Sequence, residues 1–247
     1  WTNFILFSAM VLFHPKLKGY RIYKDWVGPK WQYVREQLQI GLPIGSSIFF
    51  EASIFSIAGL LMVHFGSAVV AAHQSVISFT NVFYCLPLSI AMASTIAVGY
   101  EVGAERHKEA IQYSYISRVL AIVIAILICA FTFTHMESIS ALFTNDEEVY
   151  NLIYRFLGYG VFFSAFDAIG TPLQGILRGY KDVKIVFYIS LISYWGVCFP
   201  IAYILANNPD YGPFGVWIGL LASVIVAGIL FTIRTWYIQH KQINITE

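Results

Sequence analysis

Charge is scarce in this chain. Of 247 residues, 15 are Lys or Arg and 14 are Asp or Glu, so charged residues make up 12%, half the roughly 25% of soluble domains. That scarcity excludes a water-surfaced globular domain, and a net charge of +1 makes no case for a nucleic-acid partner. Cysteine is nearly missing. Cys85, Cys129 and Cys198 fall in three different apolar spans, with no CxxC pair and no Cys/His cluster, so they read as small apolar helix residues rather than metal or disulfide sites. Enzyme signatures are missing too: there is no HExxH, no Walker loop and no GxSxG. His73-Gln74 has no nucleophile or metal set beside it, so His73 reads as a helix-start or packing residue, and the chain reads as something other than an enzyme.

What is present is apolar length. Hydrophobic residues make up 58% of the chain and aromatics 17%. Hydropathy predicts six membrane spans, at about 40–63, 76–100, 114–134, 152–176, 183–206 and 212–236, each long enough to cross roughly 30 Å of hydrocarbon. The stretch 1–13 is apolar but short of the roughly 20 residues a crossing needs, and it reads as the end of a truncated transmembrane helix. The predicted fold is therefore an all-α membrane protein, a six-helix bundle at 40–237 with the tail of a preceding helix. A basic interfacial linker at 14–39 and a tail at 238–247 complete the organisation.

The loops alternate in charge. Lys16, Lys18, Arg21, Lys24, Lys30 and Arg35 precede the first span, and the 64–75 loop has no Lys or Arg. Arg106 and Lys108 follow; the 135–151 loop carries Glu137, Asp146, Glu147 and Glu148 and no basic residue. Arg178, Lys181 and Lys184 come next, then a turn at 207–211 without Lys or Arg, and finally Arg234 and Lys241. Basic loops stay cytoplasmic, which predicts a multi-pass protein of the inner or plasma membrane with both ends of the six-span unit inside. In 14–39, Trp26, Trp31 and Tyr33 interleave with lysines, as in a stretch lying at lipid headgroups. Pro43, Pro87, Pro172 and Pro200 fall in or near spans, where proline bends the helix. The pairs Gly41/Gly45, Gly99/Gly103, Gly175/Gly179 and Gly215/Gly219 have the spacing of close helix packing.

Two acids stand inside this apolar pattern. Glu51 lies in SSIFFEASIFSIAGLL and Asp167 in LGYGVFFSAFDAIGTPLQG. A charge at the centre of a membrane helix costs about 2.5–3.5 kcal/mol even on the mildest scale, so each marks a candidate functional site. Glu51 sits some ~16 Å from the cytoplasmic start of an outward-running span, and Asp167 ~15 Å before the cytoplasmic end of an inward-running one. The two reach one depth if their helices are neighbours. Asp167 shares a face with Gly160, Ser164, Thr171 and Gln174, a small and polar stripe; Glu51 has Ser47 at i−4 and Phe55 at i+4. Arg118 and Arg155 are the basic residues within spans, both near span ends, so neither acid is expected to have a basic partner. Desolvation then favours the neutral acid, a group suited to exchanging a proton, or a proton for a metal cation. Interhelical hydrogen bonding by protonated acids is the other reading. Sodium needs several oxygen ligands, which Ser47, Gln74, Ser78, Asn81, Ser164 and Gln174 offer; a proton needs none. Phe49, Phe50, Phe55, Phe79, Phe83, Phe162, Phe163 and Phe166 either line a pocket for flat organic cations or pack and face lipid. The Arg178–Asp182 run reads as a cytoplasmic loop anchor.

The contexts of these acids resemble the multidrug and toxic compound extrusion (MATE) transporters, specifically the NorM-like branch. The matching runs are GLPIGSSIFFE (41–51), VAAHQ (70–74), LPLSIA (86–91), VGYEVGA (98–104) and GILRGYKD (175–182), in order across about 35–240. The resemblance implies the C-terminal lobe of a twelve-helix, two-lobe antiporter, with 1–13 as the tail of the last N-lobe helix. It implies that Glu51 and Asp167 bind the coupling cation, H⁺ or Na⁺, with no other cofactor. The implied partners are the lipid bilayer, the N-terminal lobe and small organic cations, and Ser47, Phe55, Gln74, Ser78, Phe163, Ser164 and Gln174 are the expected cavity residues. The chain departs from the family at Phe163, where some relatives carry tyrosine, and at Phe166, where a small polar residue is expected. A flippase for lipid-linked precursors and a membrane-embedded hydrolase are the competing readings. The flippase calls for a strongly cationic cavity, for which the spans hold almost no Lys or Arg.

Overall fold

The computed structural model describes residues 1–13, 28 and 30–246, with the side chains of 243–246 left aside. The chain divides into two units, Trp1–Gln39 and Ile40–Glu247. The first unit contains helix α1 (Thr2–Phe13), which buries none of its residues. Much of the expected linker, 14–27 and 29, lies outside the described residues. From Trp31 onward the backbone is helical, forming the first turns of α2 (Trp31–Val63).

The second unit is a bundle of long helices, with no strand among the described residues. After α2 come α3 (Ser67–Gly103), α4 (His107–Phe143), α5 (Glu147–Gly179), α6 (Val183–Ser190), a π-helical segment (Leu191–Cys198), α7 (Phe199–Ala206) and α8 (Pro213–Thr246). Six helical stretches among the described residues are long and apolar enough to cross a membrane, the fifth being the continuous run Val183–Ala206. All six expected spans are there, and the helices outrun them. The third helix begins at His107 rather than 114, and α8 runs through the expected tail to Thr246.

Short turns make consecutive helices antiparallel neighbours. Four turns place a residue at positive φ: Gly66 (98°), Glu105 (59°), Lys181 (61°) and Gly212 (51°). The fifth turn is capped, with Asp146 Oδ1 accepting from the Val149 amide at 3.0 Å, a standard way to satisfy an orphan N–H at a helix start. Two ion pairs tie down the turns of the basic end. Arg106 Nε donates to Glu101 Oε2 at 2.5 Å. That bond, with Tyr100 alongside, holds the Arg106 guanidinium above its ordinary value, so it stays charged. Arg234 Nε donates to Asp182 Oδ2 at 2.6 Å, fastening the α5–α6 turn to α8; this part of the 178–182 run is the anchor the sequence suggested.

Small residues set the helix spacing. A Cβ at Gly175 would lie 2.2 Å from the Ala91 carbonyl oxygen, and one at Gly179 2.9 Å from the Val98 side chain. Thus α5 rests directly on the α3 backbone, and the Thr95 hydroxyl lies 2.9 Å from both the Ala91 and Gly175 carbonyls. Gly215 and Gly219 fit against Leu205 and Ala202 of α7 in the same way. These two GxxxG pairs pack as expected. Gly41, Gly45 and Gly103 do not: a Cβ at any of them meets nothing within 4 Å. One apolar core, centred on Trp217, Phe156, Ile54 and Met62, joins α2, α3, α5, α7 and α8. His73 is buried there with its ring against Trp217 at 5.4 Å, the packing role read from the sequence.

Candidate functional site

Three helical stripes converge on one cavity of about 440 Å³. From α2 come Ile48, Glu51, Ala52 and Phe55; from α3, Thr80, Tyr84, Pro87 and Ala91 among others; from α5, Ser164, Asp167, Thr171, Gln174 and Arg178. Each set recurs at the three- and four-residue steps that put side chains on one helix face. The prolines contribute to shape. Pro87 and Pro172 lie within α3 and α5. Lacking an N–H, they leave the Phe83 and Ala168 carbonyls without an intrahelical donor, which bends a helix at that point.

Both acids line this cavity, so α2 and α5 do bring them together, and the two carboxylates interact electrostatically. Thr171 Oγ1 donates to Asp167 Oδ1 at 3.3 Å. Gln174, Tyr84 and Arg178 line the same cavity as Glu51. Arg178 Nη2 in turn donates to Gln174 Oε1 at 3.1 Å. Carboxylate, phenol, hydroxyl and amide oxygens therefore surround one space, the hard-oxygen chemistry that alkali and alkaline-earth cations take. Phe55 and Phe163 close part of the wall in an edge-to-face pair at 5.8 Å, and Phe83 lines it as well.

Of the residues expected at the site, Glu51, Phe55, Phe163, Ser164, Asp167 and Gln174 line the cavity, and so does Asn81. Three others do not. Gln74 and Ser78 lie on an exposed face of α3, because that helix turns its Thr80–Tyr84 stripe inward instead. Ser47 is buried, but its hydroxyl donates to the Ile44 carbonyl of its own helix at 2.7 Å. Among the remaining aromatics, Phe49, Phe162 and Phe166 face outward, so the unusual residue before the aspartate has no bearing on the cavity. Phe50 packs on Phe187 and Trp195.

Contrary to expectation, a basic residue shares the cavity with the acids, although it forms no ion pair with either among the described residues. Arg178 stands on the last turn of α5, yet its side chain reaches into the cavity rather than anchoring a loop. Tyr84 was the other omission. Its position, four residues after Thr80 and three before Pro87, was the available signal, and it supplies an oxygen that Phe163 lacks.

This geometry defines a class: a polytopic helical membrane protein with an acid-bearing cavity inside one bundle. The family follows from comparison. A family model described as MatE matches residues 43–204, and the chain belongs to the MatE family. It is 43% identical over 219 residues to a probable multidrug resistance protein NorM of Geobacillus kaustophilus, covering 89% of this chain and 48% of that protein. To a protein of the same description from Halalkalibacterium halodurans it is 42% identical over 241 residues, covering 98% and 49%. Among solved structures it superposes on the eukaryotic MATE transporter AtDTX14 with a TM-score of 0.85 at 23% identity, covering 94% of this chain and 52% of that one. It matches an outward-facing multidrug resistance MATE family transporter of the MOP superfamily at 0.84 and 19%, covering 97% and 54%. At such identities the likeness shows the fold. The chain spans about half the length of the curated relatives it matches. These relatives are named as resistance proteins and transporters, and none of the four as an enzyme.

Proposed function

We propose that this chain works as one lobe of a two-lobe antiporter that exports cationic amphipathic compounds in exchange for inward-moving H⁺ or Na⁺. The observation that carries this reading is the meeting of Glu51 and Asp167, from two helices, in one largely apolar cavity that carries a few polar groups. The cation enters the cavity and binds at the acid pair, with Tyr84, Thr171 and Gln174 supplying neutral oxygens. Its occupancy changes the charge and hydration of a space walled by three proline-bearing helices, α2, α3 and α5, and so shifts the balance between inward- and outward-open arrangements of the lobes. The aromatic wall of Phe55, Phe83 and Phe163 suits a flat organic cation through apolar and cation–π contact. The basic turns that hold Arg106, Lys108, Lys181 and Lys184 face the cytoplasm of a cell-membrane protein. Flipping a lipid pyrophosphate is disfavoured by a cavity with two carboxylates and a single guanidinium. The test is efflux from proteoliposomes by the complete two-lobe transporter, with proton and sodium gradients imposed separately. E51Q and D167N are expected to fold and to lose the gradient-driven component.

A further inference from the structure

The cavity that holds the two acids holds one permanent positive charge. Arg178 lines it, interacts electrostatically with Glu51 and Tyr84, and is held through Nη2 by Gln174 Oε1 at 3.1 Å. Its Nε is buried without a hydrogen-bond partner, so the guanidinium is not saturated by neutral groups. A guanidinium does not deprotonate in proteins, and a buried charge persists only where an opposite charge offsets its desolvation. Glu51 and Asp167 share its cavity, and Glu51 is the acid whose charge acts on it, across a gap too wide for a direct ion pair. The charged neighbour of Asp167 is Glu51, and its hydrogen-bond partner is Thr171. With both acids ionised, two carboxylates against one guanidinium leave a single negative charge in the space.

We infer that Arg178 is a tethered counter-ion to Glu51, so that the lobe takes up one external positive charge per cycle rather than two, with Asp167 as the acid left to be neutralised. This rests on the antiport reading, and it adds a role for a side chain outside the acid pair. Arg178 acts through Glu51 and is a positioning residue in that sense. Its charge count makes a prediction that a packing role does not. Replacing Glu51 alone leaves Arg178 and Asp167 to neutralise each other, and the demand for an external cation disappears. Removing both charges restores it.

The experiment reads efflux of a fluorescent organic cation, ethidium, from proteoliposomes of the complete transporter against concentration of the driving ion, Na⁺ or H⁺ tested separately. Unmodified protein is expected to show a first-order dependence on that ion. E51Q is expected to lose the dependence, the double variant E51Q/R178Q to regain a first-order one, and R178K to behave as the unmodified protein. R178Q alone leaves two uncompensated acids, and its order is expected to rise toward two. A folded E51Q/R178Q that remains uncoupled overturns the inference, as does R178K behaving like R178Q, which would make shape rather than charge the requirement. A second-order dependence in the unmodified transporter overturns it however the variants fold. The antiport reading fails separately, if E51Q and D167N both keep full gradient-driven efflux.

Discussion

The contact between α5 and α3 at Gly175 fixes the width of the cavity, and a single methyl group there tests that directly. In G175A the new Cβ would sit 2.2 Å from the Ala91 carbonyl oxygen and 2.7 Å from both the Ala91 carbonyl carbon and Cα. Ordinary contact begins near 3.4 Å, so the helices must separate by roughly 1 Å at this point or the backbone must bend. The obstruction is backbone, so no rotamer change and no A91G substitution relieves it. Overpacking of this kind costs about 1–3 kcal/mol, or a fall in melting temperature of roughly 2–12 °C for a unit of this size. The Thr95 bridge to the Gly175 carbonyl stretches in the same movement, and Tyr84 on α3 moves away from Gln174 on α5. Gly158, on the same helix, supplies the control, because a Cβ there meets nothing within 4 Å. G158A is expected to be neutral or to stabilise by up to about 1 kcal/mol through helix propensity. Thermal melting of the purified transporter in detergent, paired with ethidium efflux, measures both. A G175A protein as stable and as active as G158A would refute the tight α3–α5 contact.

Four further substitutions probe the site and its surroundings. Y84F removes a phenol oxygen from the cavity that holds Glu51; one neutral oxygen contact contributes about 1 kcal/mol, so the half-saturating concentration of the driving ion should rise about fivefold with melting unchanged. S53A removes the acceptor for Trp195 Nε1, now at 3.2 Å. It should lower stability by about 1 kcal/mol, and the tryptophan emission should shift as its indole N–H loses that partner. Q74A and S78A lie on the exposed face of α3 and should leave the ion dependence of efflux as it is; a shift in either would place them in the cation path after all.

How far the sequence reaches can be judged from particular residues. The six spans were legible because an apolar run of twenty or more residues has few other fates. Glu51 and Asp167 were legible because a charge in such a run is costly unless it serves a purpose. The faces of helices without a charge were not. The sequence offered Gln74 and Ser78 as ligands because they are polar, but which way α3 turns depends on the Ala91–Gly175 contact, a tertiary fact. Arg178 misled for a related reason. Counting charges near span ends assigns it to a loop, whereas α5 stays helical to Gly179, and the long arginine stem brings its head back to Gln174. The π-helical Leu191–Cys198 carries no composition signal at all; its wider turn places Trp195 against Ser53 and Phe50, as tertiary packing requires.

The most direct test of the account is the ion dependence of ethidium efflux by the complete transporter carrying D167N, beside the unmodified protein, in proteoliposomes under imposed proton and sodium gradients. Asparagine keeps the shape of the side chain and removes the charge that the cavity offers to a cation. The account predicts a variant that folds, still binds ethidium and no longer responds to either gradient. Full gradient-driven efflux by that variant would contradict it.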